Sequence, residues 1–300
     1  MQSGEANDLK QTDAASYDSV AATFDQLSER YSKPAVERLL ALADIRTNDR
    51  ILDLGSGTGL VALRAAAAAE KGQTTGIDHS EGMLAQARHK AEASGLRKRT
   101  EFVKMDAEAL TFPDAIFDVA LSLYVLLHLP DPLAALRELH RVVRPGGRVV
   151  IGVGRRATLW SRSGRSQALG RLKEFIAITR GPVLTAPDFI RSLMYEMGLK
   201  ADHLEYMPHH GKIDTPRLLR EAGFRGIQSD WAGATFSLTP QEFWEVSAVY
   251  GSAERVRVAE LLPAEAERLR AAFLEKSREA LSRNGRLLYR CGARIYVAYR

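Results

Sequence analysis

Cysteine is almost absent from this chain of 300 residues. Cys291 is the single cysteine, so the chain has no second thiol with which to form an intrachain disulfide. The common structural zinc sites take several cysteine ligands, and one cysteine does not supply them. No cluster of histidines and carboxylates stands out at metal-ligand spacing, so we expect no metal cofactor.

Long apolar runs are also lacking. The longest uncharged and largely apolar run extends from Val119 to Pro130, which is too short to span a bilayer. We interpret it as a buried strand and the loop that follows it. The segment from Met1 to Lys10 is polar and lacks the apolar core of a signal peptide. These absences predict a cytoplasmic protein with no membrane span.

A strong net charge is lacking as well, since the formal net charge is only +5 at pH 7. Part of the excess lies between Arg155 and Arg180, where the basic side chains are accompanied by Glu174 alone among acidic residues. Such a segment is either a solvated helix face or a patch that attracts phosphate or an acidic substrate. No RNA-binding module is recognisable, so we expect a small-molecule partner and no nucleic acid. The oligomeric state stays open.

Short β-type runs alternate with helical patterns through the first half of the chain. Asp131 followed by Pro132 predicts one of the helix N-termini. The runs predicted as strands are Arg50–Leu54, Thr74–Asp78, Thr100–Met105, Ile116–Leu121 and Arg148–Val153. This alternation predicts a doubly wound, mostly parallel sheet that is covered by helices on both faces.

The domain organisation follows from where this alternation begins and ends. Residues 1–15 are polar and predict a disordered tail, and residues 16–300 predict a single domain that opens with a helical stretch from Ser16 to Ala43. Residues 155–214 show helical spacing and no clear strand, so we expect a helical insertion after strand five that covers the substrate. Its apolar side chains either line an acceptor pocket or form the insertion's own core. They are Trp160, Phe175, Ile178, Phe189, Met194 and Tyr195.

The segment that carries the chemistry connects the first predicted strand to the next helix. It runs from Asp53 to Gly59, and the glycines at Gly55, Gly57 and Gly59 let the backbone approach a ligand closely. The amides of the following helix N-terminus point into the crevice where open α/β sheets bind ligands. Asp78 ends the next strand, where it is placed to accept hydrogen bonds from the two hydroxyls of a ribose. The pattern therefore predicts an adenosyl or dinucleotide ligand.

The spacing of the glycines separates these two ligands. The dinucleotide fingerprint is G-x-G-x-x-G, and its third glycine, counted from Gly55, falls on Leu60. The chain reads Asp-x-Gly-x-Gly-x-Gly from Asp53 instead. This pattern resembles the first motif of the class I S-adenosylmethionine-dependent methyltransferases, in which the loop wraps the amino-acid end of the cofactor. The resemblance implies S-adenosylmethionine as cofactor and S-adenosylhomocysteine as its product.

The resemblance extends over most of residues 50–153, and the nearest group is the small-molecule type similar to the ubiquinone/menaquinone C-methyltransferases. The segment from Tyr17 to Asp25 resembles the family's lid over the cofactor. Later motifs follow in the family's order at Lys104–Leu110, Phe117–Ala120, Leu127–Asp131 and Glu138–Gly147. The resemblance implies a Rossmann-like α/β fold with a seven-stranded, mostly parallel sheet, N-terminal helices and an insertion after strand five.

The resemblance also implies roles for individual residues. Asp53 braces the glycine loop, and Asp106 accepts a hydrogen bond from the exocyclic amine of adenine. Tyr17 and Phe24 either contact the cofactor or pack in the core. The whole set of implied cofactor-binding residues is Tyr17, Phe24, Asp53, Gly55, Ser56, Gly57, Gly59, Asp78, His79, Met83, Asp106, Ala107, Leu123 and His128.

Three histidines are candidate catalytic residues because a neutral imidazole accepts a proton at physiological pH. His128 lies in the loop after the fourth strand and is either a general base or a residue that stabilises the loop. His209 and His210 lie in the variable segment and are either proton acceptors or simply exposed.

These expectations combine into one function and two alternatives. We expect methyl transfer from S-adenosylmethionine to a small, largely apolar acceptor through O, C or N, and an aromatic or acidic character of this acceptor stays open. The basic segment from Arg155 to Arg180 motivates the first alternative, a methyltransferase that acts on RNA or protein. The second alternative is a non-catalytic scaffold that binds S-adenosylmethionine, because the cofactor motifs say nothing about the acceptor.

Overall fold

The computed structural model describes residues 3–154, 181–199 and 213–300. Its α-helices are α1 (Ser3–Asp18), α2 (Ala21–Tyr31), α3 (Lys33–Ala43), α4 (Leu60–Ala68), α5 (Glu81–Ala93), α6 (Pro132–Val142), α7 (Asp188–Glu196), α8 (Thr215–Glu221), α9 (Pro240–Glu245), α10 (Ser252–Glu260) and α11 (Pro263–Ser282). Its strands are β1 (Arg50–Leu54), β2 (Gln73–Asp78), β3 (Thr100–Lys104), β4 (Phe117–Leu123), β5 (Val143–Gly154), β6 (Val183–Ala186), β7 (Arg225–Ser237) and β8 (Arg286–Tyr299).

The described residues divide into two compact units. The first unit contains residues 3–154, 213–232 and 293–300, and the second contains residues 181–199 and 233–292. Both units are therefore assembled from separated stretches of the chain, and the divisions after residues 232 and 292 fall within the strands β7 and β8.

The first unit contains the predicted sheet. Its strands follow the order β3-β2-β1-β4-β5-β8, and β7 pairs with β8. Strands β1 to β5 are parallel, whereas β8 is antiparallel to β5, with Tyr299 opposite Arg148. These strands confirm the doubly wound, mostly parallel, seven-stranded sheet. The eighth strand among the described residues is β6, which pairs with the N-terminal half of β8 in the second unit.

Helices cover both faces of this sheet, as the alternation predicts. On one face, Leu39 of α3 and Leu60 of α4 belong to a buried cluster with strand residues. On the other face, Leu136 of α6 and Leu219 of α8 belong to a second cluster, and each of them is fully buried. Burying a leucine side chain stabilises the fold by roughly 1.5–3 kcal/mol relative to leaving it in water. Both faces of the sheet thus hold a buried apolar core.

The predicted start of α6 is confirmed. Oδ1 of Asp131 accepts hydrogen bonds from the backbone amides of Leu133 and Ala134, each at 3.0 Å, and Pro132 occupies the first turn. These bonds satisfy amides that have no partner inside the helix. The cap fixes where the loop after β4 ends and the helix begins.

The N-terminal region differs from the expected disordered tail and single helical stretch. Residues 3–43 form three helices, and α1 already begins at Ser3. The polar composition indicates disorder, but Lys10 and Asp13 find charged or polar partners far along the chain, at Asp106 and His128. Such long-range contacts stabilise a helix that its own sequence does not favour.

The region predicted as an insertion is described only in part. Residues 155–180 and 200–212 lie outside the described residues. Within 181–199 the structure contains β6 as well as α7, so the expectation of a segment without strands is corrected. β6 is a strand of only four residues, and its partner β8 lies about a hundred positions later in the chain. No local sequence pattern therefore predicts β6 as a strand.

The second unit has an aromatic core of its own. The ring of Phe189 stacks on Phe243 at 5.7 Å and lies 4.9 Å from Phe273. Met194 is fully buried, whereas Tyr195 is 86% exposed. Phe189 and Met194 are therefore buried, and Phe189 belongs to a core that is shared with residues beyond the predicted insertion. The other candidates for an acceptor wall fall outside the described residues, namely Trp160, Phe175 and Ile178.

In the part of the chain that the structure describes, no helix is long and apolar enough to cross a membrane.

Candidate active site

The glycine loop joins β1 to α4 at the carboxyl end of the sheet. Gly55, Gly57 and Gly59 have φ angles of +70°, +51° and +82°, which residues with a side chain rarely adopt. A Cβ on Gly55 would overlap Val125, and a Cβ on Gly59 would lie 3.0 Å from Cβ of Ala87. A Cβ on Gly57 would meet no atom of the described residues within 4 Å. Gly57 therefore lies beside open space, with room for a ligand to approach the backbone.

Asp78 ends β2 and holds the glycine loop in place. Its Oδ2 accepts a hydrogen bond from the Gly57 amide at 2.8 Å, and its Oδ1 accepts one from the Ser80 amide at 3.0 Å. Burial raises the pKa of the Asp78 carboxyl, and hydrogen bonds from the amides of Ser80, Gly57 and His79 act against that rise. One carboxylate thus connects the loops that follow β1 and β2.

Asp53 lies at the end of β1, beneath the same loop. It is 1% exposed, and its Oδ2 has no hydrogen-bond partner among the described residues. Burial raises the pKa of the Asp53 carboxyl to about 8, a hydrogen bond from the Ala62 amide of α4 acts against the rise, and the charge of Asp78 adds to it. The loop therefore rests on a carboxyl group whose burial favours the protonated form.

Asp106 follows β3 and is tied to α1. Its Oδ2 accepts a hydrogen bond from Nζ of Lys10 at 2.8 Å, and its Oδ1 accepts one from the Glu108 amide at 2.9 Å. Lys10 also donates to Oε2 of Glu108 at 2.5 Å. Partial burial acts to raise the pKa of Asp106, but the hydrogen bonds from Lys10 and Glu108 outweigh it, so the pKa is lowered. Asp106 therefore carries a charge at neutral pH.

Helices α1 and α2 contact the other loops at this end of the sheet. Asp13 Oδ2 lies 3.0 Å from Nδ1 of His128, in the loop after β4. Asp18 Oδ1 accepts hydrogen bonds from Oγ of Ser80 at 2.5 Å and from the amide of Gly82 at 2.8 Å, in the loop after β2. In α2, Oδ1 of Asp25 accepts a hydrogen bond from Oγ1 of Thr58 in the glycine loop at 2.6 Å. The N-terminal helices thus bond to the loops after β1, β2, β3 and β4.

Tyr17 and Phe24 form an aromatic pair beside His128. Their ring centroids are 5.3 Å apart in an edge-to-face arrangement, and the rings of Tyr17 and His128 are 6.2 Å apart. Edge-to-face pairs of this kind stabilise packing by about 0.5–1.5 kcal/mol beyond the area that they bury. The packing of the two rings accounts for part of the seven-residue spacing of Tyr17 and Phe24. The contact of these residues with a cofactor stays a prediction.

The chain turns sharply after β4. Tyr124 has a φ of +66°, and its amide donates a hydrogen bond to the carbonyl of Gly152 at 2.7 Å. A non-glycine residue in this conformation costs about 1–3 kcal/mol, and such strain is concentrated at binding sites. The next residue, Val125, packs against Gly55, and Leu123 before it is half-buried. The strained turn therefore places a side chain directly on the glycine loop.

The remaining predicted site residues are found in and around these loops. Ser56 donates its amide to the carbonyl of Ile77 at 2.8 Å, and its buried Oγ has no partner among the described residues. Met83 is buried, whereas His79 and Ala107 are half-buried. His209 and His210 lie outside the described residues.

Sequence reasoning missed the charged face of α1. Lys10 and Asp13 were not predicted. With the predicted Tyr17 they are spaced by three and four residues, which places the three side chains on one side of a helix. That spacing indicates a helix with one face directed at the rest of the protein. The polar composition of the segment indicates disorder instead, and the prediction followed the composition. Together with Asp18, these residues provide the contacts of α1 with the crevice.

An open doubly wound sheet with this glycine loop after β1 and an acid at the end of β2 defines the class I methyltransferase fold. Residues 52–151 match the family model described as a methyltransferase domain. A third of the chain is therefore similar to a methyltransferase domain.

Two curated relatives match about half of the chain. The 27-O-demethylrifamycin SV methyltransferase of Amycolatopsis mediterranei is 37% identical over 136 residues, which cover 45% of this chain and 48% of the relative. The demethylmenaquinone methyltransferase of Thermus thermophilus is 40% identical over 139 residues, which cover 45% of this chain and 62% of the relative. The chain thus spans about half to three-fifths of the length of these relatives.

A solved structure extends the likeness over nearly the whole chain. The crystal structure of the (4+2)-cyclase SpnF is 22% identical and has a TM-score of 0.52 over 94% of each chain. This likeness shows a shared fold. Because that protein is described as a cyclase, the fold alone does not determine the reaction.

Proposed function

We propose that the protein transfers the methyl group of S-adenosylmethionine to a small, largely apolar organic acceptor. The observation that carries this proposal is the glycine loop, in which Gly57 has a positive φ beside open space and is bonded to Asp78. The two curated relatives are named for methylation of rifamycin-type and menaquinone-type molecules, which supports an acceptor of small-molecule size.

The residues present fit the cofactor. Asp78 is half-buried at a strand end, where its carboxylate is suited to the ribose hydroxyls, and Asp106 at the next strand end is suited to the adenine amine. The backbone at Gly57 is open to the amino-acid end. When bound, the cofactor supplies an electrophilic methyl group on its sulfonium. The task left to the chain is to hold the acceptor in line and to exclude water, and the contacts of α1 across the loops are suited to that exclusion.

His128 is the proposed general base for acceptors that must lose a proton. Asp13 bonds to its Nδ1, and a proton held at Nδ1 leaves Nε2 as the basic nitrogen. We expect an acceptor that is aromatic or acidic and is methylated on O, C or N.

A screen with methyl-labelled cofactor tests the proposal directly. Panels of phenols, quinones, amines and acidic lipids are each incubated with the protein, and label in a small organic product is the expected result. Label that appears only in added tRNA or protein would replace the small-molecule proposal with the macromolecular alternative. A compound that is converted without taking up label would indicate a reaction other than methyl transfer.

Asp78→Ala is expected to weaken the binding of S-adenosylhomocysteine by roughly 1–3 kcal/mol, which is about 5- to 150-fold in the dissociation constant. The variant loses charge-assisted hydrogen bonds to the ribose as well as those to Gly57 and Ser80. Calorimetric titration measures the change.

Asp118→Ala is the matched control for this variant. Asp118 lies at the start of β4 and accepts hydrogen bonds from the Arg50 amide and from Arg144, each at 2.6 Å. The Asp118→Ala variant should have a lower free energy of unfolding than the wild type and an unchanged dissociation constant for S-adenosylhomocysteine. Equal affinities of the wild type and a well-folded Asp78→Ala variant would show that Asp78 only braces the loops.

A further inference from the structure

Asp53 is a buried acid that the protein does not fully satisfy. Its side chain is almost completely enclosed, and among the described residues its Oδ2 accepts no hydrogen bond. The donor that acts on the carboxyl is the amide of Ala62, at the start of α4. The neighbouring strands place the uncharged residues Gly76 and Leu121 opposite it.

The charged group that acts on Asp53 has the wrong sign to stabilise a carboxylate. Asp78 of β2 adds negative charge nearby, whereas α4 contributes only an amide, and β4 contributes no charge opposite it. An ionised carboxyl without a cation or a full set of donors is expensive to bury, and such a group takes up a proton instead. Asp78 itself differs, because each of its oxygens accepts a backbone amide.

We propose that Asp53 carries a proton in the ligand-free protein and releases it to solvent when the amino-acid end of the cofactor binds at the glycine loop. The inference rests on the proposed function. The ammonium group of S-adenosylmethionine or S-adenosylhomocysteine would bring a positive charge to the loop above Asp53, and a nearby cation stabilises the carboxylate. No bond of the cofactor changes in this step.

The direction of the pH dependence follows from this release. Because the free protein holds a proton that the complex lacks, binding strengthens as the pH rises toward the pKa of about 8 and levels off above it. The dissociation constant for S-adenosylhomocysteine should fall about tenfold per pH unit between pH 6 and 7.5.

Calorimetry in buffers of different ionisation enthalpy measures the released proton. At pH 6.5 we expect close to one proton per bound S-adenosylhomocysteine. The probe 5′-methylthioadenosine lacks the amino-acid end, so it should bind without release. Equal release with both ligands would overturn the proposal, because the proton would then come from a group near the ribose or adenine.

Two carboxyl variants assign the proton to its source. Asp53→Asn keeps the shape of the side chain and should abolish both the release and the steep pH dependence. Asp78→Asn should bind more weakly and still release a proton. Release that persists in Asp53→Asn would overturn the assignment.

The wild type also provides a test that needs no variant. Carbon-13 spectra of the aspartate carboxyl groups should show that Asp53 titrates near pH 8 in the free protein and is ionised at pH 6.5 with S-adenosylhomocysteine. Binding with no released proton and no such resonance would refute this inference alone. No binding of either sulfur ligand would instead refute the proposed function.

Discussion

Gly57→Ala is expected to weaken the binding of S-adenosylhomocysteine by about a hundredfold or more, which corresponds to roughly 3 kcal/mol. The added Cβ points into space that no atom of the described residues fills within 4 Å. The added methyl group therefore collides with no atom of the described protein, but it would collide with a ligand that lies against the loop. Titration calorimetry with the purified variant measures the loss.

Gly95→Ala separates this steric effect from backbone strain. Gly95 has a φ of +69°, and a Cβ there would also meet no atom of the described part of the chain within 4 Å. Both substitutions place alanine in the left-handed region, at a cost of about 1–2 kcal/mol each. The melting temperatures of the two variants should therefore fall to a similar extent. Gly95→Ala should keep the full affinity for S-adenosylhomocysteine. Similar affinities of the two folded variants would place the ligand somewhere other than the glycine loop.

His128→Gln is expected to lower kcat about 10²- to 10⁴-fold for an acceptor that loses a proton during the reaction. Glutamine retains polarity but does not accept a proton, so the hydrogen bond with Asp13 no longer orients a base. Binding of S-adenosylhomocysteine should change much less than kcat. Steady-state kinetics with an acceptor identified in the screen measures kcat, and product inhibition in the same assay measures the binding of S-adenosylhomocysteine.

The acceptor's own acidity distinguishes a base from a residue that only stabilises the loop. An acceptor that is already ionised at the assay pH needs no base, so its kcat should be nearly the same in the wild type and the variant. The exposed His89 of α5 provides a control, because His89→Gln removes an imidazole to which no role is assigned. An equal fall in kcat for ionised and neutral acceptors would assign His128 to positioning alone.

The elements that could be predicted from the sequence are those whose signals lie close together along the chain. The strand from Arg50 to Leu54, the three glycines and the helix that begins at Leu60 follow one another, and their bounds agree with the structure within a few residues. The cap at Asp131 is equally local, because its partners are two and three residues away. Backbone preferences and side-chain caps act over such distances, so a single sequence reveals them.

The features that escaped prediction depend on residues far apart in the sequence. Lys10 bonds to Asp106, 96 positions away, and nothing in the polar segment around Lys10 announces that partner. The same holds for Phe189, whose ring stacks on Phe243 in the second unit. The helical spacing of the apolar residues around Phe189 predicted a buried face without indicating what covers it.

The candidate site shows the same division. The alternation of strand and helix patterns placed Asp78 correctly at the end of a strand. The carboxyl ends of parallel strands meet at one edge of the sheet, so this position also places Asp78 beside the glycine loop. The state of Asp53 was not visible in the sequence, since its pKa depends on complete burial and on the charge of Asp78. Burial and charge at a site are properties of the folded chain, and they follow only once the packing is known.

Titration of the wild-type protein with S-adenosylhomocysteine and with NAD tests the central claim most directly. The spacing from Asp53 to Gly59, with Leu60 in place of a further glycine, predicts micromolar binding of the sulfur ligand and no detectable binding of NAD. Micromolar binding of NAD, with no heat from S-adenosylhomocysteine, would contradict the assignment of this crevice to a methyl donor.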